Sequence, residues 1–161
     1  MFKKILVPLD GSDLAAKILP QVAELAKQAK ARVTLLAVGS SDTCRTGAAP
    51  PATMKEGAVC PELPLATYLD QAAGKLRAQG VEVEWVYKQG DPAHEIVAYA
   101  AENDLDLIAI ASHGGGAIAW VLGSVAHKVI AHAPGAVLLW RVTEPEPPGL
   151  KSELYYSLQT P

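Results

Sequence analysis

Short apolar runs alternate with longer amphipathic stretches along most of this chain, and few folds accommodate that alternation. Five runs are short and apolar enough to be strands: Ile5–Leu9, Arg32–Val38, Val81–Tyr87, Leu105–Ile110 and Ala136–Val142. Between them lie four stretches with helical spacing of apolar residues: Asp13–Lys30, Leu65–Gln79, Asp91 to about Asn103, and Ser124–His132. Alternating strands and helices form a parallel sheet, because right-handed crossovers place the helices on its faces. The sequence therefore predicts an α/β fold, a single-domain open parallel five-stranded sheet with helices on both faces.

Residues at the ends of these elements support the assignment. Gly80 is placed to end the helix before it, and Asp91 and Pro92 form a favourable start for the next one. The run Val81–Tyr87 alternates apolar residues with glutamates over most of its length. This pattern predicts a strand at an edge of the sheet, with one face covered and the other partly wet.

The chain has 161 residues, which suits one ordinary domain, here assigned to residues 1–142. Residues 39–64 are rich in Gly, Pro, Ser, Thr and Ala and are predicted to form a variable loop. Its two cysteines, Cys44 and Cys60, lack the spacing of a zinc site and are expected to be free thiols. Residues 143–161 form a proline-rich tail with adjacent tyrosines, which we expect to dock on its own domain or on a partner subunit.

Composition excludes several classes of function. The formal net charge is -3, so no basic surface favours nucleic acid or an anionic membrane. No run approaches the roughly 18 apolar residues of a membrane span, and the apolar N-terminal stretch is too short for a signal peptide. These features predict a cytoplasmic protein without a nucleic-acid or membrane partner.

A glycine-rich segment follows the fourth predicted strand and leads into the last helix. It runs from Ala111 through Ser112 and His113 to Gly114, Gly115 and Gly116, and Gly123-Ser124 follows it. Glycines allow the main chain to approach a phosphate closely, and a helix N-terminus presents free N–H groups to an anion. The segment therefore has two interpretations, a nucleotide phosphate cradle or a flexible connecting turn.

Ligands of open parallel sheets bind beyond the carboxyl ends of the strands, where the strand order reverses. If the first and fourth strands are neighbours, Asp10 and Ala111 end at one crevice. Asp10 would then contact a ribose hydroxyl or hold a divalent metal together with phosphate oxygens. Its structural alternative is to cap the following turn or helix.

Several separated motifs, in the right order over residues 2–142, resemble the universal stress protein family. They are Lys3–Ser12, Gln89–Ala93, Asp106–Ile108, Ser112–Gly114, Leu122–Val125, Val129–Pro134 and Ala136–Trp140. The resemblance implies a five-stranded parallel α/β fold of the adenine nucleotide alpha hydrolase type, similar to the Rossmann fold. It also implies a homodimer through antiparallel pairing of the last strand, here Ala136–Val142.

Nucleotide-binding members of that family carry a Gly-x2-Gly-x9-Gly-(Ser/Thr) loop around the phosphates of ATP. The resemblance implies that ATP or another adenine nucleotide, with or without Mg²⁺, is bound by matching residues of this chain. These are Pro8, Leu9, Asp10, Gly11, Ser12, Val38, Ala111, Ser112, His113, Gly114, Gly115, Gly123, Ser124 and Val125. Asp10 would lie toward the adenosine, and the main chain at Val38, after the second strand, would meet the adenine.

The chain departs from this family pattern in three ways. Ala111 stands where the first glycine is expected, and eight residues rather than nine separate Gly114 from Gly123. Those eight residues contain no Lys or Arg. Without that cation, phosphate binding would depend on main-chain amides, the helix dipole, Ser124 and any metal.

The leading hypothesis is a nucleotide-binding sensor or regulator in the stress response, with little or no catalysis. The alternative is a dimeric stress protein that binds no nucleotide and acts through protein contacts, which the shortened, uncharged loop favours. A third hypothesis is a slow ATP hydrolase that uses Asp10 and a divalent metal. The histidines lack metal-ligand spacing, and neither Ser12 nor Ser124 has a His–acid pairing for hydrolysis.

Overall fold

The computed structural model describes residues 2–39, 62–112 and 122–141. Its elements are β1 (Lys4–Pro8), α1 (Asp13–Ala16), α2 (Leu19–Ala29), β2 (Arg32–Gly39), α3 (Glu62–Ala78), β3 (Val83–Gln89), α4 (Pro92–Glu102), β4 (Leu107–Ala111), α5 (Ser124–His132) and β5 (Ala136–Trp140). The five strands form one parallel sheet in the order β3-β2-β1-β4-β5. The predicted α/β architecture is confirmed, and β3 does lie at an edge.

Each face of the sheet is covered by its own apolar cluster, because successive side chains of a strand point to opposite faces. Ile5 and Val7 of β1 pack with the buried faces of α2 and α3, whereas Leu6 packs with α4 and α5. All three side chains are fully buried. The central strand therefore fixes both layers of helices, as the apolar run at this point predicts.

The single helix predicted over Asp13–Lys30 is wrong, because the structure divides it into α1 and α2. Pro20 lies in the first turn of α2 and has no N–H with which to continue a helix from α1. The chain tightens before it: Lys17 N donates to Leu14 O at 3.2 Å and Ile18 N donates to Ala15 O at 3.4 Å. These are three-residue steps typical of a 3₁₀ turn.

Other boundaries differ from the prediction by a few residues. Strands β3 and β4 each begin two residues later than predicted, and β5 ends at Trp140. The predicted variable loop is shorter at both ends, because Gly39 belongs to β2 and α3 begins at Glu62. The remainder of that loop, with both cysteines, and the predicted tail lie outside the described residues. No helix in the described part of the chain is long and apolar enough to cross a membrane.

Two glycines predict opposite results for the same substitution. Gly74 lies inside α3, and a Cβ there would meet no atom within 4 Å. Gly80 follows α3 with φ +82°, a conformation that favours glycine. We expect Gly74→Ala to raise the free energy of unfolding by about 0.5–1 kcal/mol and Gly80→Ala to lower it by about 1 kcal/mol. Urea unfolding measures both, and equal signs would contradict the assigned end of α3.

Candidate functional site

The strand order reverses between β1 and β4, which are hydrogen-bonded neighbours at the centre of the sheet. The chain crosses from β1 to β2 on one side and reaches β4 on the other. The carboxyl ends of β1 and β4, at Pro8 and Ala111, therefore flank the topological switch point where open α/β sheets bind ligands. The neighbour relation on which the predicted site depends is confirmed.

Asp10 organises the turn between β1 and α1. Its Oδ1 accepts hydrogen bonds from Ser12 N at 3.0 Å and from Ser12 Oγ at 2.6 Å. Ser12 in turn caps α1, because its Oγ accepts from Ala15 N at 3.1 Å. The turn role considered for Asp10 is thus present in the structure. Its carboxylate is also exposed at the strand end, where a role toward a ligand stays a prediction.

Helix α3 covers this turn with two side chains. Gly11 has φ +83°, and a Cβ there would lie 3.0 Å from Leu65 Cδ2. The Tyr68 hydroxyl donates to Ser12 O at 3.3 Å. Burial, and then the negative charges of Asp10 and Asp13, raise the pKa of Tyr68, so its hydroxyl remains protonated at neutral pH. Two contacts from one helix therefore limit the freedom of the turn.

Tyr68 was not among the residues predicted for the site. Its position between Leu65 and Leu69 on a helix gives a signal for packing only, because a helical pattern does not say which strand end the helix crosses. The contact depends on the tertiary path of α3, which follows the segment outside the described residues. No local feature of the sequence therefore indicates the contact between Tyr68 and Ser12.

The end of β4 is tied to the start of α5 by hydrogen bonds. Ser112 is only 3% exposed, and its N donates to Trp140 O at 2.8 Å. Its carbonyl accepts from Gly123 N at 3.0 Å, so the two ends of the glycine-rich segment meet. His113, Gly114 and Gly115 lie outside the described residues. The structure therefore describes the two ends of the predicted cradle, at Ser112 and Gly123.

Gly123 is the N-cap residue of α5, with φ -58° and ψ 144° and no side-chain hydrogen bond to the helix. By contrast, Ser12 caps α1, and the Asp91 carboxylate caps α4 by accepting from His94 N at 3.0 Å. The first N–H groups of a helix have no intrahelical acceptor. The amide end of α5 is therefore uncapped by its N-cap side chain, next to the switch point, with Ser124 exposed and Val125 packed on the core.

Among the predicted site residues that the structure describes, Val38 has a setting that differs from the expectation. It was expected after the second strand, but β2 continues to Gly39 and Val38 pairs with Lys88 of β3. Its side chain packs against the α4–α5 face. A Cβ on Gly39 would overlap the Tyr87 hydroxyl, so the side chain of the next strand fills the space beside this glycine. A ligand at the carboxyl end of β2 would therefore contact the main chain of Val38 or residues that follow it in the sequence.

The chemistry of the described groups is that of anion binding by dipoles. The residues the structure describes contain no cluster of three or more His, Cys, Asp or Glu that could hold a metal. Any Mg²⁺ held there would thus have at most two such side chains as ligands among these residues. Main-chain amides, hydroxyls and a carboxylate are groups that can hold a nucleotide.

Comparison with known proteins gives this site a family context. The family model described as "Universal stress protein family" matches residues 1–141. Universal stress protein YxiE of Bacillus subtilis is 34% identical to this chain over 148 residues, covering 88% of this chain and all of that protein. The family match extends across the whole sheet.

Two solved structures with this fold contain an adenine nucleotide. A universal stress protein in complex with cAMP has a TM-score of 0.67 and 21% identity, and the match covers 88% of this chain and 98% of that one. A family protein from Arabidopsis thaliana with AMP bound has a TM-score of 0.67 and 18% identity, covering 93% and 98%. At these identities the likeness establishes the fold. The family match and the identity to YxiE go further: this chain belongs to the universal stress protein family.

Proposed function

We propose that this protein binds ATP or a related adenine nucleotide at the carboxyl ends of β1, β2 and β4, and acts as a sensor or regulator in the stress response with little or no catalysis. The observation that carries the proposal is the amide end of α5, whose N-cap residue Gly123 has no side chain to cap it and whose start is bonded to the end of β4 through Gly123 and Ser112. A phosphate is the natural acceptor for such N–H groups.

The residues at the strand ends support a position for each part of the nucleotide. The phosphates lie over the N-terminus of α5, where Ser124 adds a hydroxyl to the main-chain donors. The ribose lies toward the exposed carboxylate of Asp10, held by Ser12. The adenine extends toward the main chain at Val38. Asp10 is the residue that would hold Mg²⁺, since hard cations prefer oxygen ligands. Related proteins with bound AMP and cAMP support this class of ligand.

Titration calorimetry of nucleotide-free protein tests this proposal directly. We expect submillimolar binding of at least one of ATP, ADP, AMP and cyclic AMP, with guanine nucleotides as the matched control for the base. Helix-end amides and hydroxyls contribute roughly 0.3–1 kcal/mol each when exposed, so moderate affinity is expected without a cation in the loop. Flat titrations with all four adenine nucleotides would refute the proposal.

A stress protein that acts only through protein contacts remains the alternative. The loop favours it, because no Lys or Arg lies between Gly114 and Gly123 to pair with phosphates. Flat titrations would favour this reading, and submillimolar binding would remove its basis. The cytoplasmic setting inferred from the sequence stays a prediction.

We also propose that the protein forms a homodimer through β5, within the segment predicted as Ala136–Val142. In the described part of the sheet, β5 pairs with β4 on one side and its other edge carries no strand. Its apolar residues from Val137 to Trp140 are only partly buried. An apolar edge of this kind favours pairing with a second strand.

Sedimentation at micromolar concentration tests the dimer. We expect a species of twice the 16.9 kDa of one chain. The Trp140 carbonyl faces β4, so main-chain alternation points the N–H of Leu139 to the open edge. Leu139→Pro should therefore yield monomer with little loss of β4 pairing, while Leu138→Pro should damage the fold. A wild-type protein that sediments only as monomer would contradict the interface.

A further inference from the structure

A second polar cleft lies at the opposite end of the sheet from the proposed nucleotide site. It has a volume of about 450 Å³ and lies where β1, β2 and β3 begin and α4 ends. Its lining residues are Lys3, Lys4, Lys30, Arg32, Thr34, Glu82, Glu84, Tyr99, Asn103 and Leu105. Ligand sites commonly have 300–1,000 Å³, so the size suits a small molecule.

Strand register explains why these polar groups meet. Lys4 of β1 pairs with Arg32 of β2, and Thr34 of β2 pairs with Glu84 of β3. Side chains two residues apart on a strand share a face, so these four residues lie on the α4 side of the sheet. The sheet carries apolar residues further along that face, at Leu6 and Leu36. The polar groups are thus confined to the starts of the strands.

Thr34 gives this cleft an internal hydrogen bond. It is only 3% exposed, and Thr34 and Ser112 are the two polar side chains classed as buried among the described residues. Burying a hydroxyl costs free energy unless it is bonded, and Thr34 Oγ1 donates to Glu84 Oε1 at 3.0 Å. This bond fixes the Glu84 carboxylate at the cleft, where its remaining lone pairs can accept further hydrogen bonds.

Tyr99 closes the same side of the cleft. Burial, and then the negative charge of Glu84, raise the pKa of Tyr99, so its hydroxyl stays protonated near neutral pH. Lys88 Nζ lies 5.3 Å from the centre of the Tyr99 ring and 3.4 Å from Glu95 Oε2. The Lys88 ammonium group therefore contacts the Tyr99 ring while it is paired with Glu95. Glu84 and Tyr99 together offer a site for hydroxyl groups.

Four of the residues that line the cleft carry a positive charge. Lys4 Nζ donates to Asn103 O at 2.9 Å, and Arg32 Nε donates to Glu82 Oε1 at 2.7 Å. Within residues 2–39, 62–112 and 122–141, the ammonium groups of Lys3 and Lys30 have no hydrogen-bond or ion-pair partner. The four cations exceed the two glutamates of the lining.

One further charge lies close by. The Asp106 carboxylate accepts from the main-chain N of Lys3 and Lys4 at 2.8 and 2.9 Å, and these bonds lower the pKa of Asp106. The Asp106 carboxylate therefore accepts hydrogen bonds from the main chain. Its charge offsets part of the positive excess but does not occupy the lysine ammonium groups.

We propose that this cleft binds a small phosphate ester that also carries hydroxyl groups, such as a sugar phosphate, with the phosphate held by Lys3 and Lys30 and a hydroxyl donated to Glu84. Ammonium groups on flexible stems suit phosphate, and a carboxylate held in place suits a hydroxyl. Lys3 precedes β1 and Glu84 lies on β3, with β2 between these strands, so a ligand that carries both groups suits this cleft better than a simple anion.

NMR titration of the full chain with glucose 6-phosphate, glucose and inorganic phosphate tests this assignment. We expect glucose 6-phosphate to shift amides at the starts of β1 to β3 and to bind at least tenfold more tightly than phosphate or glucose alone. Lys30 has φ 52°, which Asn tolerates. The double variant Lys3→Gln, Lys30→Asn should weaken glucose 6-phosphate binding about tenfold or more.

Glu84→Gln separates a binding role from a structural one. It should weaken glucose 6-phosphate binding and leave phosphate binding equal or tighter, because a repelling charge is removed. The double variant Lys27→Gln, Lys75→Gln makes the same change of net charge on exposed parts of α2 and α3 and should bind like the wild type. Gly123→Asp, at the other end of the sheet, should also leave this binding unchanged.

Three results would overturn the proposal. One is the absence of amide shifts with glucose 6-phosphate at millimolar concentration. Another is equal weakening by the Lys27/Lys75 control, which would indicate charge alone. The third is an equal effect of Glu84→Gln on glucose 6-phosphate and on phosphate. Failure of adenine nucleotide binding would leave this cleft untouched, since the two sites share no residue.

Discussion

Replacing Gly123 with Asp is expected to weaken adenine nucleotide binding by about 100-fold or more, a loss of about 2.7 kcal/mol, while the protein stays folded. The main chain at Gly123 has φ -58° and ψ 144°, which any residue can adopt. An Asp carboxylate there accepts hydrogen bonds from the first amides of α5, the donors assigned to the phosphates. It also places a negative charge where the phosphates would lie.

The same substitution should keep or raise stability, because Asp is a better N-cap than glycine. The gain expected is a few tenths of a kcal/mol, and up to about 1 kcal/mol with the helix dipole. Gly123→Asn is the matched control, since it caps without charge and should weaken binding less. Calorimetric titration and thermal unfolding of the three proteins measure both effects. Unchanged affinity in Gly123→Asp, with the fold intact, would remove α5 from the site.

The order of elements could be predicted because each strand is a short apolar run with helical periodicity on either side. The break between α1 and α2 was not predicted, because the apolar periodicity continues across it. Pro20, in the first turn of α2, is the residue that indicates the break. Strand ends shifted by two residues because pairing with neighbours sets them. Val81, for example, is buried and apolar, yet β3 begins at Val83, which pairs with Val33.

The site was predictable where its residues follow strands directly. Asp10 lies two residues after β1 and Ser112 immediately follows β4, so the parallel topology alone brings them to one end of the sheet. Tyr68 was missed because its contact with the β1–α1 turn depends on how α3 crosses the sheet. The glutamate held by Thr34 was missed for a related reason: the bond joins residues 50 positions apart. Local patterns carry no information about such pairs.

Buried polar side chains mark both ends of this sheet. Ser112 lies at the switch point, and Thr34 lies among the polar groups at the starts of the strands, each 3% exposed. A fold selected for stability alone gains nothing from these hydroxyls over apolar residues of similar shape. Their positions, beside the proposed nucleotide site and beside the second cleft, favour two ligand sites carried by one sheet.

Ile108→Ala should lower the free energy of unfolding by about 2–5 kcal/mol, the range for a large aliphatic residue removed from a packed core. Ile108 is 1% exposed in β4, where it pairs with Leu6 and Val137 and belongs to the core cluster between the sheet and α4 and α5. Ile130→Ala on α5 is the matched control: this side chain is 44% exposed, and Ala favours a helix, so the change should stay within about 0.5 kcal/mol. Urea unfolding at one protein concentration measures both, since association shifts apparent stability. Similar losses for the two variants would contradict the assigned core, because only a buried isoleucine leaves a cavity.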